Sequence, residues 1–188
     1  MAIGPIIQGE TVRMRPIAIS DAEVTFKMRS DPEKSRYIHG ATGTVDDQRA
    51  FIRKQISAID EFLFVVEDLQ GNPIGMRGLY DYDPMRGTIE TGRFMSFGTQ
   101  LQTLEAMCLG FDFAFDILGV DAVKMSVLAD NSNMHGIQEK FGAEVTETHF
   151  NSEFGCDSIC SILYKETYAV KKKHMKRLIE RFSSRLDY

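Results

Sequence analysis

The sequence predicts a single α/β (α+β) domain with a mixed central sheet, an antiparallel meander within it and a C-terminal amphipathic helix. Three observations carry this prediction. The chain has 188 residues, a length that one hydrophobic core can serve without disulfides or a metal. Its apolar spacing switches between a period of 2 and a period of 3.6 in the order β-α-α-β-β-β-α-β-α-β-β-α. No repeat, low-complexity stretch or long linker divides that series.

Val12, Met14 and Pro16 alternate with Arg13 and Arg15, predicting a first strand. Ser20-Asp21-Ala22-Glu23 has the spacing of a capping box, so a helix is expected from Ser20 to about Ser30. Thr44 opens a second helix whose apolar face is Phe51, Ile52, Gln55, Ile56 and Ile59. Strands follow at Phe62–Glu67, Ile74–Tyr82 and Thr88–Phe97, separated by the turns Leu69–Pro73 and Asp83–Gly87. A long helix from Thr99 to Leu118 places Leu101, Leu104, Cys108, Phe111, Phe115 and Leu118 on one stripe, and Gly119 stops it. Ala122–Leu128 reads as a strand, Asn131–Phe141 as a helix ended by Gly142, and 143–153 with 157–167 as a hairpin.

The formal net charge is −5. Residues 169–188 hold seven basic and two acidic side chains, a net of +5, which leaves a body of −10. An acidic body argues against a general nucleic-acid binder, since phosphate neutralisation supplies most non-specific affinity. The tail sets Met175, Leu178, Ile179, Phe182 and Leu186 on one face. That stripe docks on the body or on a second copy of the chain, making a homodimer, or its cationic face meets a phosphate-rich partner. The chain is accordingly divided into a body of 1–168 and a helix of 169–188.

The longest apolar run, Phe62–Val66, is far too short for a membrane span. Met1–Pro5 has no signal-peptide character. Three scattered cysteines, with Cys156 and Cys160 four apart, match no usual zinc spacing and suit reduced thiols in the cytoplasm. His39, His135, His149 and His174 are isolated in sequence, so no metal site is expected. No nucleophile elbow or phosphate loop ending in Gly-Lys-Ser/Thr is present. What remains is the strand-turn-helix Glu90 to Leu101. A helix start there exposes unpaired amides beside a positive dipole end and can hold a pyrophosphate; an ordinary strand-helix junction looks the same in sequence.

The ordered set of motifs resembles the GCN5-related N-acetyltransferases (GNAT), especially their ribosomal-protein N-terminal acetyltransferase-like branch. It runs over residues 8–167: Gly9-Glu10, Val12-Arg13, Arg15-Pro16, Asp21-Ala22 and Ser30-Asp31-Pro32, then Arg36-Tyr37, Phe51-Ile52, Ile74-Gly75 and Gly78-Leu79. Glu90 with Gly92, Glu105-Ala106, Asn131 and Glu139-Lys140-Phe141-Gly142 complete it. The resemblance implies acetyl-CoA as cosubstrate, no metal, and a cleft between splayed fourth and fifth strands. It implies acetylation of a primary amine, on an amino-sugar nucleotide or a protein N-terminus, by direct attack on the thioester. A catalytically weak acyl-CoA-sensing relative is the alternative.

By the same resemblance, backbone groups of Met95 and Ser96 meet the pantetheine arm. Gly98, Thr99, Gln100, Leu101, Gln102 and Thr103 cap the pyrophosphate, while Asn131 and Lys140 are further cofactor contacts. Two departures stand out. The loop 98–103 is about two residues shorter than the family's and lacks its later glycines. Gln138 occupies the place of the tyrosine that protonates the departing thiolate. Glu90 is the candidate amine-side base, against an ion pair with Arg15, Arg77 or Arg93; regular alternation puts Glu90, Gly92, Phe94 and Ser96 on one face. His39 falls where the family contacts acceptors or is a surface histidine, and Tyr37 and Tyr80 are candidate acceptor-stacking side chains.

Overall fold

The computed structural model describes residues 4–183; residues 1–3 and 184–188, including the predicted Leu186 of the tail, lie outside the described residues. A two-residue strand β1 (Ile7–Gln8) precedes β2 (Val12–Pro16). A 3-10 turn, Ile19–Asp21, then leads into α1 (Ala22–Arg29). Ser20 does not cap this helix. Asp21 takes the amide of Ala18 at 2.7 Å and a forked pair from Arg15 at 2.7 and 2.8 Å. Burial opposes ionisation of Asp21, but the Arg15 hydrogen bonds, the Ala18 amide and the Arg15 charge together hold the carboxyl below its ordinary pKa.

Thr44 caps α2 (Val45–Ser57) through a reciprocal box with Asp47. Ile52 and Gln55 are buried, whereas Ile59 lies past the helix end and is exposed. The meander forms as β3 (Phe62–Asp68), β4 (Pro73–Asp83) and β5 (Thr88–Ser96). α3 (Gln100–Asp112) runs into a π-helical turn, Phe113–Ile117, and Gly119 reverses the chain at φ 73°. Then come β6 (Ala122–Leu128), α4 (Ser132–Phe141), β7 (Glu144–Asn151), β8 (Cys156–Tyr164) and α5 (Lys165–Ser183).

The eight strands make one sheet in the order β1-β2-β3-β4-β5-β6-β8-β7. Every neighbouring pair is antiparallel except β5 with β6, which the α3 crossover makes parallel. Each sheet face has its own core. Ile17, Ala22, Ile52, Leu63, Val65, Met76 and Met95 pack on the α1/α2 side. The larger core, with Phe64, Phe111, Phe113, Phe115 and Phe141, lies on the α3/α5 side.

Two polar anchors explain the position of α3. The buried Glu105 carboxylate accepts from the amides of Glu10 and Thr11 at 2.6 Å each, and a Cβ on Gly9 would sit 2.6 Å from it. Arg77 is fully buried from β4, donating to the carbonyls of Ala106 and Met107 at 3.3 and 2.8 Å, with its guanidinium 4.7 Å from the Phe111 ring centroid. Burial lowers its pKa to about 10, so it stays charged at neutral pH. Any side chain at Gly110 would collide with that guanidinium.

The last helix begins at Lys165, so the predicted boundary at 168/169 falls inside it. Tyr168, Met175 and Ile179 are buried in the larger core of their own chain. The Tyr168 hydroxyl lies 2.7 Å from Asp112 and 3.1 Å from the Cys108 carbonyl, and Lys172 bridges Asp112, at 2.8 Å, and Asp116. The cationic tail thus meets acidic groups at the end of α3.

Candidate active site

β5 and β6 pair only from Thr88↔Ala122 to Thr91↔Met125, although β5 continues to Ser96 and β6 to Leu128. Beyond Thr91 the strands part, and the β6-facing backbone of residues 92–96 has no strand partner among the described residues. A bulge lies at the point of parting. Met76 pairs with Met95 and Gly78 with Gly92, so Arg93 and Phe94 together oppose Arg77. Arg93 adopts φ 52°, a left-handed conformation that costs a side-chain-bearing residue roughly 1–2 kcal/mol. Its guanidinium is fixed by Gln55 at 2.7 Å and Glu61 at 3.0 Å.

The bulge corrects the expected alternation. Glu90 and Gly92 do not share a face with Phe94 and Ser96. Phe94 packs on the α3-side core, Met95 on the α1/α2 side, and Ser96 Oγ lies 2.7 Å from Thr103 Oγ1 on α3. An extra residue in one strand inverts the parity of everything after it.

At the head of α3, Thr99 is the N-cap and forms a reciprocal box with Gln102. Gln102 Oε1 accepts from the Thr99 amide at 2.9 Å, and Thr99 Oγ1 from the Gln102 amide at 3.3 Å. Ser96 Oγ accepts the Gly98 amide at 3.3 Å. Helix geometry leaves the amides of Gln100 and Leu101 open, beside the positive end of the helix dipole. The stretch predicted to cap a pyrophosphate thus forms a capped helix start, with part of its donor set already engaged by the chain itself.

Glu90 and Tyr80 face each other across β4 and β5, and the tyrosine hydroxyl donates to Glu90 Oε1 at 3.1 Å. None of the three suspected arginines forms an ion pair with Glu90. Arg15 bridges Asp21 and Glu67, Arg93 bridges Glu61, and Arg77 is buried under α3. Half-burial raises the Glu90 pKa, the Tyr80 bond opposes that rise, and the charge of Asp81 adds to it. Burial and the adjacent Glu90 raise the Tyr80 pKa, so its hydroxyl remains a donor. Gly92 leaves room for this phenol, since a Cβ there would sit 2.5 Å from the Tyr80 oxygen. Lys124 of β6 pairs with Glu90 in register and is exposed, a cation the sequence reading passed over.

The remaining candidates are dispersed. Asn131 caps α4, its Oδ1 accepting from the Met134 amide at 3.2 Å. Gln138 is buried and its Oε1 takes the Ser161 hydroxyl at 3.1 Å, which leaves that oxygen engaged in the α4–β8 packing. Lys140 is exposed in the last turn of α4. His39 Nδ1 meets Glu153 Oε1 at 2.8 Å, and Arg36 meets Asp130 at 3.1 Å while covering the Tyr37 ring. The α1–α2 loop is thereby tied to the β6–α4 and β7–β8 turns. His149 is not isolated in space, because the hairpin brings it to Glu147 and Cys160.

The model of a family described as an acetyltransferase (GNAT) domain matches residues 11–144. No curated protein matches the sequence. Among solved structures, a GCN5-related N-acetyltransferase from Brucella melitensis is similar at 19% identity and a TM-score of 0.79, over 93% of this chain and 85% of that one. Apo FdhC, a nucleotide-linked sugar GNAT, is similar at 22% identity and 0.80, over 94% and 99%. A spermidine N-acetyltransferase from Vibrio cholerae in complex with CoA and spermine is similar at 18% and 0.77, over 86% and 99%. At such identities the likeness establishes the fold.

Proposed function

The chain belongs to the GNAT acetyltransferase family, and from that premise we propose that it transfers an acetyl group from acetyl-CoA to a primary amine. The observation that carries this reading is the parting of β5 from β6 beside the head of α3. An unpaired strand edge at 92–96 suits an amide-bearing arm, which can add to it as a strand would. The open amides of Gln100 and Leu101 suit a pyrophosphate. When bound, acetyl-CoA supplies the activated acyl group.

Glu90 is the base in this proposal. Tyr80 holds Oε1, which leaves Oε2 to take a proton from the acceptor ammonium, directly or through one water. The neutral nitrogen then bonds to the acyl carbon as the carbon–sulfur bond breaks; the nitrogen gives up its surplus proton to water, and the CoA thiolate leaves and is protonated from solvent. A thiol pKa of roughly 8.5, by analogy with cysteine, makes this exit tolerable without a dedicated acid.

For the acceptor we favour an amino-sugar nucleotide. Lys124 stands exposed beside Glu90 for a phosphate, and Tyr80 and Tyr37, each with an arginine over one ring face, keep the other face for stacking. The similarity to a nucleotide-linked sugar GNAT supports the same class. The ribosomal-protein branch of the sequence resemblance makes protein N-terminal amines the competing acceptor. Three free cysteines support a cytoplasmic setting. Among the described residues no helix is long and apolar enough to cross a membrane.

The Thr99–Gln102 box favours a second reading, an acyl-CoA-binding relative with weak turnover. Calorimetry with acetyl-CoA, followed by CoA-release assays on amino-sugar-nucleotide and peptide panels, separates the two. Transfer to an amine, with Glu90→Gln losing about 100-fold in turnover at unchanged acetyl-CoA affinity, supports the enzyme. Binding without release on any amine supports the sensor, and no binding at millimolar acetyl-CoA defeats both.

A further inference from the structure

The β7–β8 hairpin carries a cluster that acetyl transfer does not use. Glu147 pairs directly with Cys160, and His149 lies two residues further along β7 on the same face. A bulge creates this alignment. Val145 pairs with Ser161 and Glu147 with Cys160, so Thr146 is the extra residue. Regular pairing from Val145 would set Thr146 opposite Cys160 and turn Glu147 to the other face. One ligand-type atom from each of Glu147, His149 and Cys160 lies within 4.8 Å of the other two.

We propose that Glu147, His149 and Cys160 form a binding site for a divalent transition metal of the zinc class. The separation of Cys160 Sγ from His149 Nδ1 is 3.6 Å. A tetrahedral centre with a metal–sulfur bond of roughly 2.3 Å and a metal–nitrogen bond of roughly 2.05 Å has a sulfur–nitrogen edge of about 3.6 Å. Thiol and imidazole thus already stand at the spacing that bonding to one ion requires. Thiolate, imidazole and carboxylate together are a donor set that selects zinc over magnesium or calcium. Deprotonated Cys160 and Glu147 also balance a 2+ ion.

The surroundings leave the site open. Glu147 and His149 have no ion-pair partner among the described residues, and both are exposed. Cys160 pairs with Ser126 of β6, on the face that carries Lys124 and Glu90. The α1/α2 core that covers this face draws no residue from β6, β7 or β8, so water completes the coordination. The metal clips the two strands of an edge hairpin whose outer strand is exposed from Glu144 to Phe150.

The test uses the full chain, treated with chelator and kept reduced, and titrated with cobalt(II) as the spectroscopic probe. A sulfur-to-cobalt charge-transfer band with tetrahedral visible bands, saturating at one equivalent and bleached by zinc, is expected. Cys160→Ser should abolish the charge-transfer band, whereas Cys156→Ser should leave it intact. His149→Ala and Glu147→Gln should each weaken binding at least tenfold, a loss seen even for residues behind metal ligands. Glu147 and His149 are exposed and the two cysteines half-buried, and thermal melting checks that each variant folds. Absence of the band, its survival in Cys160→Ser, or its loss in Cys156→Ser overturns the site. The readout is metal binding alone and is independent of acetyl transfer.

Discussion

Replacing Gln102 by alanine separates the two demands placed on the head of α3. The wild-type Gln102 carbonyl occupies the Thr99 amide at 2.9 Å, so a phosphate oxygen arriving there must displace it. Losing this neutral hydrogen bond costs about 1 kcal/mol, offset in part by the better helix propensity of alanine. For a chain of this size that is a fall of roughly 2–4 °C in Tm. The freed amide gains a charged acceptor in the complex, worth about 1 kcal/mol more than a neutral one, or a fivefold tighter Kd. Gln102→Glu keeps the cap and sets a negative charge beside the phosphates, so it should bind acetyl-CoA more weakly than wild type. Calorimetry and thermal melting on the three proteins read both quantities. Equal or weaker acetyl-CoA affinity in Gln102→Ala, with the Tm lowered as expected, refutes the idea that the cap competes with the ligand.

Other outcomes follow from the same geometry. Tyr80→Phe removes the bond that favours ionised Glu90, so the raised Glu90 pKa rises further and the base needs a higher pH to be free. The acid limb of kcat/KM should move alkaline by about 0.7 pH unit, from a bond of about 1 kcal/mol at 1.36 kcal/mol per unit; an unmoved limb removes Glu90 as the titrating base. Ending the chain at Thr167 deletes Tyr168, Met175 and Ile179 from the core. Three such side chains contribute roughly 5–9 kcal/mol, comparable to the whole stability of a domain. The shortened chain should bind a hydrophobic dye and lose its cooperative melt, whereas a stable, fully folded product contradicts the docking seen for α5.

Most element types were legible in the sequence because each depends on local spacing. The second-helix cap at Thr44, the Gly119 and Gly142 stops and the helix between β5 and β6 are written in near-neighbour patterns. The candidate site was less legible because its geometry depends on bulges. Nothing in Gly92-Arg93-Phe94 announces a left-handed arginine; that conformation is held by Gln55 and Glu61, more than thirty residues away. Missing it placed Phe94 and Ser96 on the wrong face. Ser20 does not cap α1 because it lies inside the 3-10 turn Ile19–Asp21, where the Asp21 carboxylate takes the Ala18 amide and the Arg15 fork. Gln138 departs from the family pattern at the tyrosine's place, and it is engaged by Ser161, a contact across the fold. One signal was in plain view: Thr99-x-x-Gln102 is itself a capping box. The hairpin cluster was invisible, since only the register of β7 on β8 joins His149 to Cys160.

Amide chemical shifts of the isotope-labelled chain, followed during titration with acetyl-CoA, test the location of the cosubstrate most directly. The largest saturable changes should fall on residues 92–96, on Gly98 to Thr103 and on Asn131, with Gln100 and Leu101 among the strongest. Saturable changes centred elsewhere, with the head of α3 unmoved, would contradict the account of where this chain binds its acyl donor.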